Sequence, residues 1–165
     1  MYKRILLAYD GSVEGAIALR EGALLAKVCG AQVFLLSVIP RRPGLVVAEG
    51  VHGGGLAQQI DSYRDLFGSA VNRLRQLGFE PISRLVSGEP APTIGVVAKE
   101  FSADLVVVGH RAQNFISRWW SGSNQAYLKD HIDCSLLIAS NYLSEETFES
   151  EMQLSGLTDR PPLAG

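Results

Sequence analysis

The sequence predicts a doubly wound α/β domain: a mostly parallel, five-stranded sheet with helices on both faces. Three observations carry this. Short apolar runs such as Leu105-Val106-Val107-Val108 have the character of strands buried on both faces. Between them lie longer segments with apolar residues at helical spacing. Strands that alternate with helices imply parallel crossovers rather than hairpins.

The elements follow in order. Ile5–Tyr9 reads as the first strand, stopped by Asp10-Gly11-Ser12. Ser12 is placed to cap a helix over Val13–Cys29, with Glu14 in the first turn, where the helix dipole favours an anion. Ala16, Leu19, Ala23 and Ala26 mark its buried stripe, and Gly30 suits its end. Gln32–Val38 is the second strand, closed by Pro40. Residues 41–55 form a long glycine-bearing loop, a length that often signals function. A second helix spans Leu56–Leu77, with a stripe of Ile60, Tyr63, Phe67, Leu74 and Leu77, and Gly78 ends it. Ile82–Val86 is the third strand. Pro92 suits the start of a third helix that runs to Glu100. Leu105–Val108 is the fourth strand, Ser123–His131 the fourth helix and Ser135–Ser140 the last strand. The domain therefore covers residues 1–142. Residues 143–165 read as a solvated acidic tail carrying Glu145, Glu146, Glu149 and Glu151, with a helix from Ser144 to Leu154 as the alternative.

Composition bounds the function. At 165 residues the chain suits one domain with one core. A net charge of -2 argues against a general nucleic-acid binder, which needs many phosphate contacts. No apolar run approaches the ~20 residues of a membrane span, and no signal-peptide pattern opens the sequence, so a cytoplasmic location is expected. Cys29 and Cys134 lack C-x-x-C or zinc spacing and read as buried free thiols. His52, His110 and His131 have no metal-ligand spacing.

Two loops carry suitable chemistry for a ligand. One is Asp10-Gly11-Ser12 and the other runs from Gly109 to Ser123. In doubly wound sheets the ligand lies beyond the carboxyl ends of the strands, where the winding reverses. A strand that empties into a glycine, followed by a glycine that opens a helix, can cradle phosphate on backbone N–H groups. The structural alternative is plain: Asp10-Gly11-Ser12 can be only a turn and a cap, Gly109 can simply end a strand, and Gly122-Ser123 can simply start a helix. There is no Gly-x4-Gly-Lys-Ser/Thr element, so a P-loop ATPase is excluded.

Over residues 3 to about 140 the chain resembles the universal stress protein family. The likeness rests on Ala8-Tyr9-Asp10-Gly11-Ser12, Ser37-Val38, Gly88-Glu89-Pro90, Ala103 to Gly109, and Cys134-Ser135-Leu136-Leu137-Ile138. Its most specific part is the nucleotide signature Gly-x2-Gly-x9-Gly-Ser/Thr. Here it reads Gly109-His110-Arg111-Ala112, nine residues, then Gly122-Ser123, with Ala112 in place of the second glycine.

The resemblance implies a strand order of 3-2-1-4-5 and a nucleotide site for ATP, with AMP or cyclic AMP as alternatives. It puts Asp10 at the mouth of the site, near the ribose and any Mg or Mn ion carried by the nucleotide. Val38 would offer backbone groups to adenine. Gly109, Arg111 and Ala112 would line one side, and Gly122, Ser123 and Asn124 would hold phosphates. His110 reads either as a ribose or phosphate contact or as a solvent-facing loop residue. Trp119 and Trp120 read as packing beneath the loop or against a partner. If position 112 needs a left-handed backbone, alanine costs roughly 1–2 kcal/mol, about five- to thirty-fold in affinity; if it needs only smallness, one methyl is tolerated.

No Ser/His/Asp set or carboxylate pair reads as a catalytic unit, so turnover is expected to be slow or absent. Strand Ser135–Ser140 has no charge or proline guarding it, and an edge of that kind invites a second chain. The resemblance likewise implies a homodimer through that edge, beside a protein partner the sequence does not name. Three functions stand: a nucleotide-binding stress-response or signalling module, a dimeric interaction protein that binds no nucleotide, and an enzyme that adenylates a substrate.

Overall fold

Five strands form one fully parallel sheet in the order β3-β2-β1-β4-β5. The computed structural model describes residues 1–40, 54–109, 128–139 and 144–157. The chain runs β1 (Arg4–Ala8), α1 (Val13–Cys29), β2 (Gln32–Pro40), α2 (Gly54–Gln76), β3 (Ile82–Gly88), α3 (Pro90–Glu100), β4 (Leu105–Gly109), α4 (Leu128–His131), β5 (Ser135–Ala139) and α5 (Glu145–Leu157).

Side chains alternate across the strands and divide the core in two. Ile5, Leu7, Val33, Leu35, Leu105 and Val107 pack with α1, α2 and Phe148 on one face. Leu6, Phe34, Leu36, Val106 and Val108 pack with α3 and α4 on the other. This two-faced burial explains why the strand sequences are apolar without alternation. At the amino ends of the strands, Phe34 stacks on Phe101 at 4.5 Å, and Arg4 and Arg84 lie over the two rings at 5.0 and 4.7 Å.

The caps fall where the sequence puts them. The Ser12 hydroxyl caps α1, and Gly30 ends it in a left-handed conformation with φ of 61°. Elsewhere the boundaries move. α3 begins at Pro90 rather than Pro92, because a proline at the first helical position already has the required φ and no N–H to satisfy. β2 and β3 run two residues further than expected, since they pair with each other as far as Pro40 and Gly88. The thiols of Cys29 and Cys134 are free, as expected, but only half-buried. The fourth helix is described over Leu128–His131, and the earlier part of the predicted span lies outside the described residues, as does Ser140 at the end of the last strand.

The largest departure is at the carboxyl end. Within the predicted solvated tail, Glu145–Leu157 is a helix docked on the domain, so the helical alternative holds there. Ser144 accepts the Thr147 N–H at 3.2 Å, and Phe148 is completely buried against α1 and α2. One aromatic anchor among glutamates gives a weak periodic signal, which is why composition suggested a tail.

Candidate functional site

β1 and β4 are parallel neighbours, with Ala8 opposite Val108. Their carboxyl ends emerge side by side at the point where the winding reverses, since β2 and β3 lie beyond β1 and β5 lies beyond β4. That point is where doubly wound sheets hold ligands.

Asp10 organises the loop after β1. Its Oδ1 accepts the Ser12 N–H at 3.0 Å and also the Ser12 hydroxyl. Ser12 Oγ in turn accepts the Gly15 N–H at 2.9 Å. One carboxylate oxygen thus fixes the residue that caps α1. Gly11 has φ of +79°, and a Cβ on it would stand 2.8 Å from Leu66 Cδ1 of α2. A Cβ on Gly15 would stand 2.5 Å from Asp10 Oδ1. Tyr9 lies alongside, and burial first, then the Asp10 charge, raise its phenol pKa.

Gly109 closes the crevice from β4. A Cβ there would lie 2.5 Å from the Glu14 carbonyl oxygen and 2.9 Å from the Gly15 nitrogen. The end of β4 therefore rests directly on the first turn of α1, where the helix dipole favours negative charge.

Val38 lies one strand further on. β1 pairs with β2 only as far as Leu36, whose carbonyl accepts the Tyr9 N–H at 2.8 Å. Peptide groups two residues apart on a strand face the same edge. The Val38 N–H and C=O therefore face the side on which β1 has ended, while its side chain is buried in the core.

The structure thus brings Asp10, Gly109 and Val38 to one end of the sheet. His110, Arg111, Ala112, Gly122, Ser123 and Asn124 lie outside the described residues, as do Trp119 and Trp120. Gly15, Tyr9 and Leu66 were missed from the sequence. A glycine in the first turn of a helix, where it costs about 1 kcal/mol against alanine, was a usable signal for the first. Leu66 fell off the apolar stripe assigned to its helix and gave none. Among the described residues no three His, Cys, Asp or Glu side chains come together to hold a metal ion. None of the described helices is long and apolar enough to cross a membrane.

Comparison with known proteins agrees with this fold. A universal stress protein A homolog of Haemophilus ducreyi is 30% identical over 131 residues, covering 76% of this chain and 88% of its own. A universal stress protein of Synechocystis sp. is 26% identical over 152 residues, covering 85% and 99%. The fold matches a universal stress protein in complex with cAMP (TM-score 0.62, 19% identity, 86% of this chain and 99% of that one). It also matches the Archaeoglobus fulgidus universal stress protein in complex with dAMP (TM-score 0.55, 19% identity, 84% and 98%). A third match is an Arabidopsis thaliana family member with AMP bound (TM-score 0.57, 16% identity, 87% and 94%). The universal stress protein family model itself matches residues 1–140, from before β1 through β5. With the sheet order, the Asp10 turn and the Gly109 contact all falling inside that span, the chain belongs to the universal stress protein family.

Proposed function

We propose that this protein is a nucleotide-binding stress-response or signalling module that takes ATP, with AMP or cyclic AMP as alternatives, at the carboxyl ends of β1 and β4. The observation that carries this is the contact of Gly109 with the first turn of α1, directly beside the Asp10 turn. It leaves an anion-favouring helix start at the root of the loop that bears the signature. Solved relatives of this fold are described with cAMP, dAMP and AMP, which supports a nucleotide as the ligand class.

In this reading the outward edge of Val38 meets the base, Asp10 meets the ribose, and Gly109 to Ala112 line one side. Gly122, Ser123 and Asn124 hold the phosphates, and His110 borders the ribose or phosphate. The energy needs every part. A micromolar site requires about -8 kcal/mol. A helix terminus supplies at most ~2, and burying an aromatic-sized base of roughly 150 Å² supplies about 4. Phosphate hydrogen bonds must contribute the rest against the ordering cost.

Among the described residues a metal site belonging to the protein alone does not fit. Asp10 is a single carboxylate, and its Oδ1 already accepts two bonds from Ser12. A Mg or Mn ion here would arrive with the nucleotide phosphates. Turnover is slow or absent in this reading, and two copies associate through the β5 edge, in the cytoplasm. Ala112 favours the rival reading, a dimeric interaction protein without nucleotide.

Titration calorimetry with ATP, AMP and cyclic AMP tests the proposal. Saturable heat with at least one of them is expected. No heat with any of the three at about 1 mM, where even a site worth only -4 kcal/mol half fills, would sink it.

A further inference from the structure

Helix α5 lies beyond residues 1–140, the span matched by the family. It carries four glutamates and no basic residue. Among the described residues Phe148 is its one fully buried side chain. Met152 is half-buried, and Leu154 is 54% exposed.

Its polar attachments reach two different helices. Glu145 pairs with Arg20 of α1 at 2.6 Å and also with Arg73 of α2. Glu149 lies 3.6 Å from Arg73, whose guanidinium sits 6.0 Å from the Phe148 ring centre. Each carboxylate in these pairs is more than half exposed, so salt screens the attachment. α1 and α2 are also the helices that border Gly11, through the α1 cap at Ser12 and through Leu66. A helix held by one fully buried side chain, a half-buried methionine and ion pairs whose carboxylates are exposed belongs to the low-stability end of a domain.

We infer that α5 is a latch: it releases from the domain without unfolding it, and when docked it clamps α1 to α2, about two helical turns along each from the residues that border the Asp10 turn. The docked state holds Arg20 and Arg73 on one carboxylate. Release separates them and removes the restraint on the Leu66 contact with Gly11. The consequence for ligand affinity rests on the nucleotide reading above, but the release does not.

The test is hydrogen exchange read by mass spectrometry on the full chain, as wild type, Phe148→Ala and Glu145→Gln. In the wild type, amides of 145–157 should exchange at least about tenfold faster than those of β1 and β4. Their exchange should rise several-fold in about 1 M salt, and Glu145→Gln should lose most of that salt dependence. Phe148→Ala should release α5 and leave β1 and β4 protected. α5 exchanging in step with β1 and β4 in all three proteins overturns the latch, and so does wholesale unfolding of Phe148→Ala. With ATP as probe, Phe148→Ala should bind about three- to tenfold more weakly. Equal affinity with α5 released overturns the clamp. A wild type that binds no ATP, AMP or cyclic AMP sinks the nucleotide reading, while the exchange result stands on its own.

Discussion

Gly109 and Glu14 touch through their backbones: a methyl group on Gly109 would stand 2.5 Å from the Glu14 carbonyl oxygen and 2.6 Å from its carbon. The end of β4 and the first turn of α1 are thereby joined without any side chain. Gly109→Ala should cost about 1–3 kcal/mol, because neither backbone can step aside cheaply. In a chain of this size that lowers the melting temperature by roughly 2–4 °C per kcal/mol. A melting curve superimposable on wild type would show that the two segments can separate.

Ser12 links two devices, since it caps α1 through Gly15 and holds Asp10 in place. Ser12→Ala should lose about 1 kcal/mol in urea unfolding, the usual worth of such a cap. It should also weaken nucleotide binding, because Asp10 loses the hydroxyl that orients it. Ser12→Thr retains the hydroxyl and should recover most of both. Failure of threonine to rescue either would count against the hydroxyl as the cause.

Gly95 of α3 packs on α4, where a Cβ would lie 2.3 Å from the His131 carbonyl oxygen. Gly95→Ala should force the two helices apart at a cost of about 1–3 kcal/mol. α4 is the described end of the predicted Ser123–His131 helix, whose start is proposed to hold the phosphates, so nucleotide affinity should fall along with stability. Full affinity at a lowered melting temperature would show that displacing α4 does not reach the proposed phosphate contacts.

Glu21 gives a pH signature. One carboxylate oxygen is buried without a partner among the described residues, and burial raises its pKa above the ordinary 4.5. The native state therefore binds this proton more tightly than the unfolded chain. The group's contribution to stability is full below 4.5 and falls as pH rises through the raised native value. Glu21→Gln should be more stable than wild type at neutral pH, by less than about 1 kcal/mol given partial exposure, and equal to it in acid. Denaturant midpoints measured from about pH 3 to pH 8 check this; a gap that does not change with pH rules out the Glu21 proton as its source.

The parts of the site that were legible are those written over a few consecutive residues. Asp10-Gly11-Ser12 announces a turn and a cap through chemistry confined to its neighbours. Gly109 follows an unbroken apolar run, and a glycine there announces a strand end. Gly15 and Leu66 were not legible as site residues, because their importance lies in what crosses them: a carboxylate in one case, a turn from another element in the other. α5 was misjudged for a related reason. Its helix rests on Phe148 and on two arginines, one of them 125 residues away, and no local pattern records that partnership.

Strand and helix identities, the capping of α1 and the spacing of the phosphate signature are local, because propensity, periodicity and backbone freedom act within a few residues. The approach of Gly109 to the first turn of α1, the outward edge of Val38 beyond the last β1 pairing and the docking of α5 required the folded chain. They depend on which strands become neighbours and how far each pairing extends, quantities set by the packing of two helical layers onto one sheet.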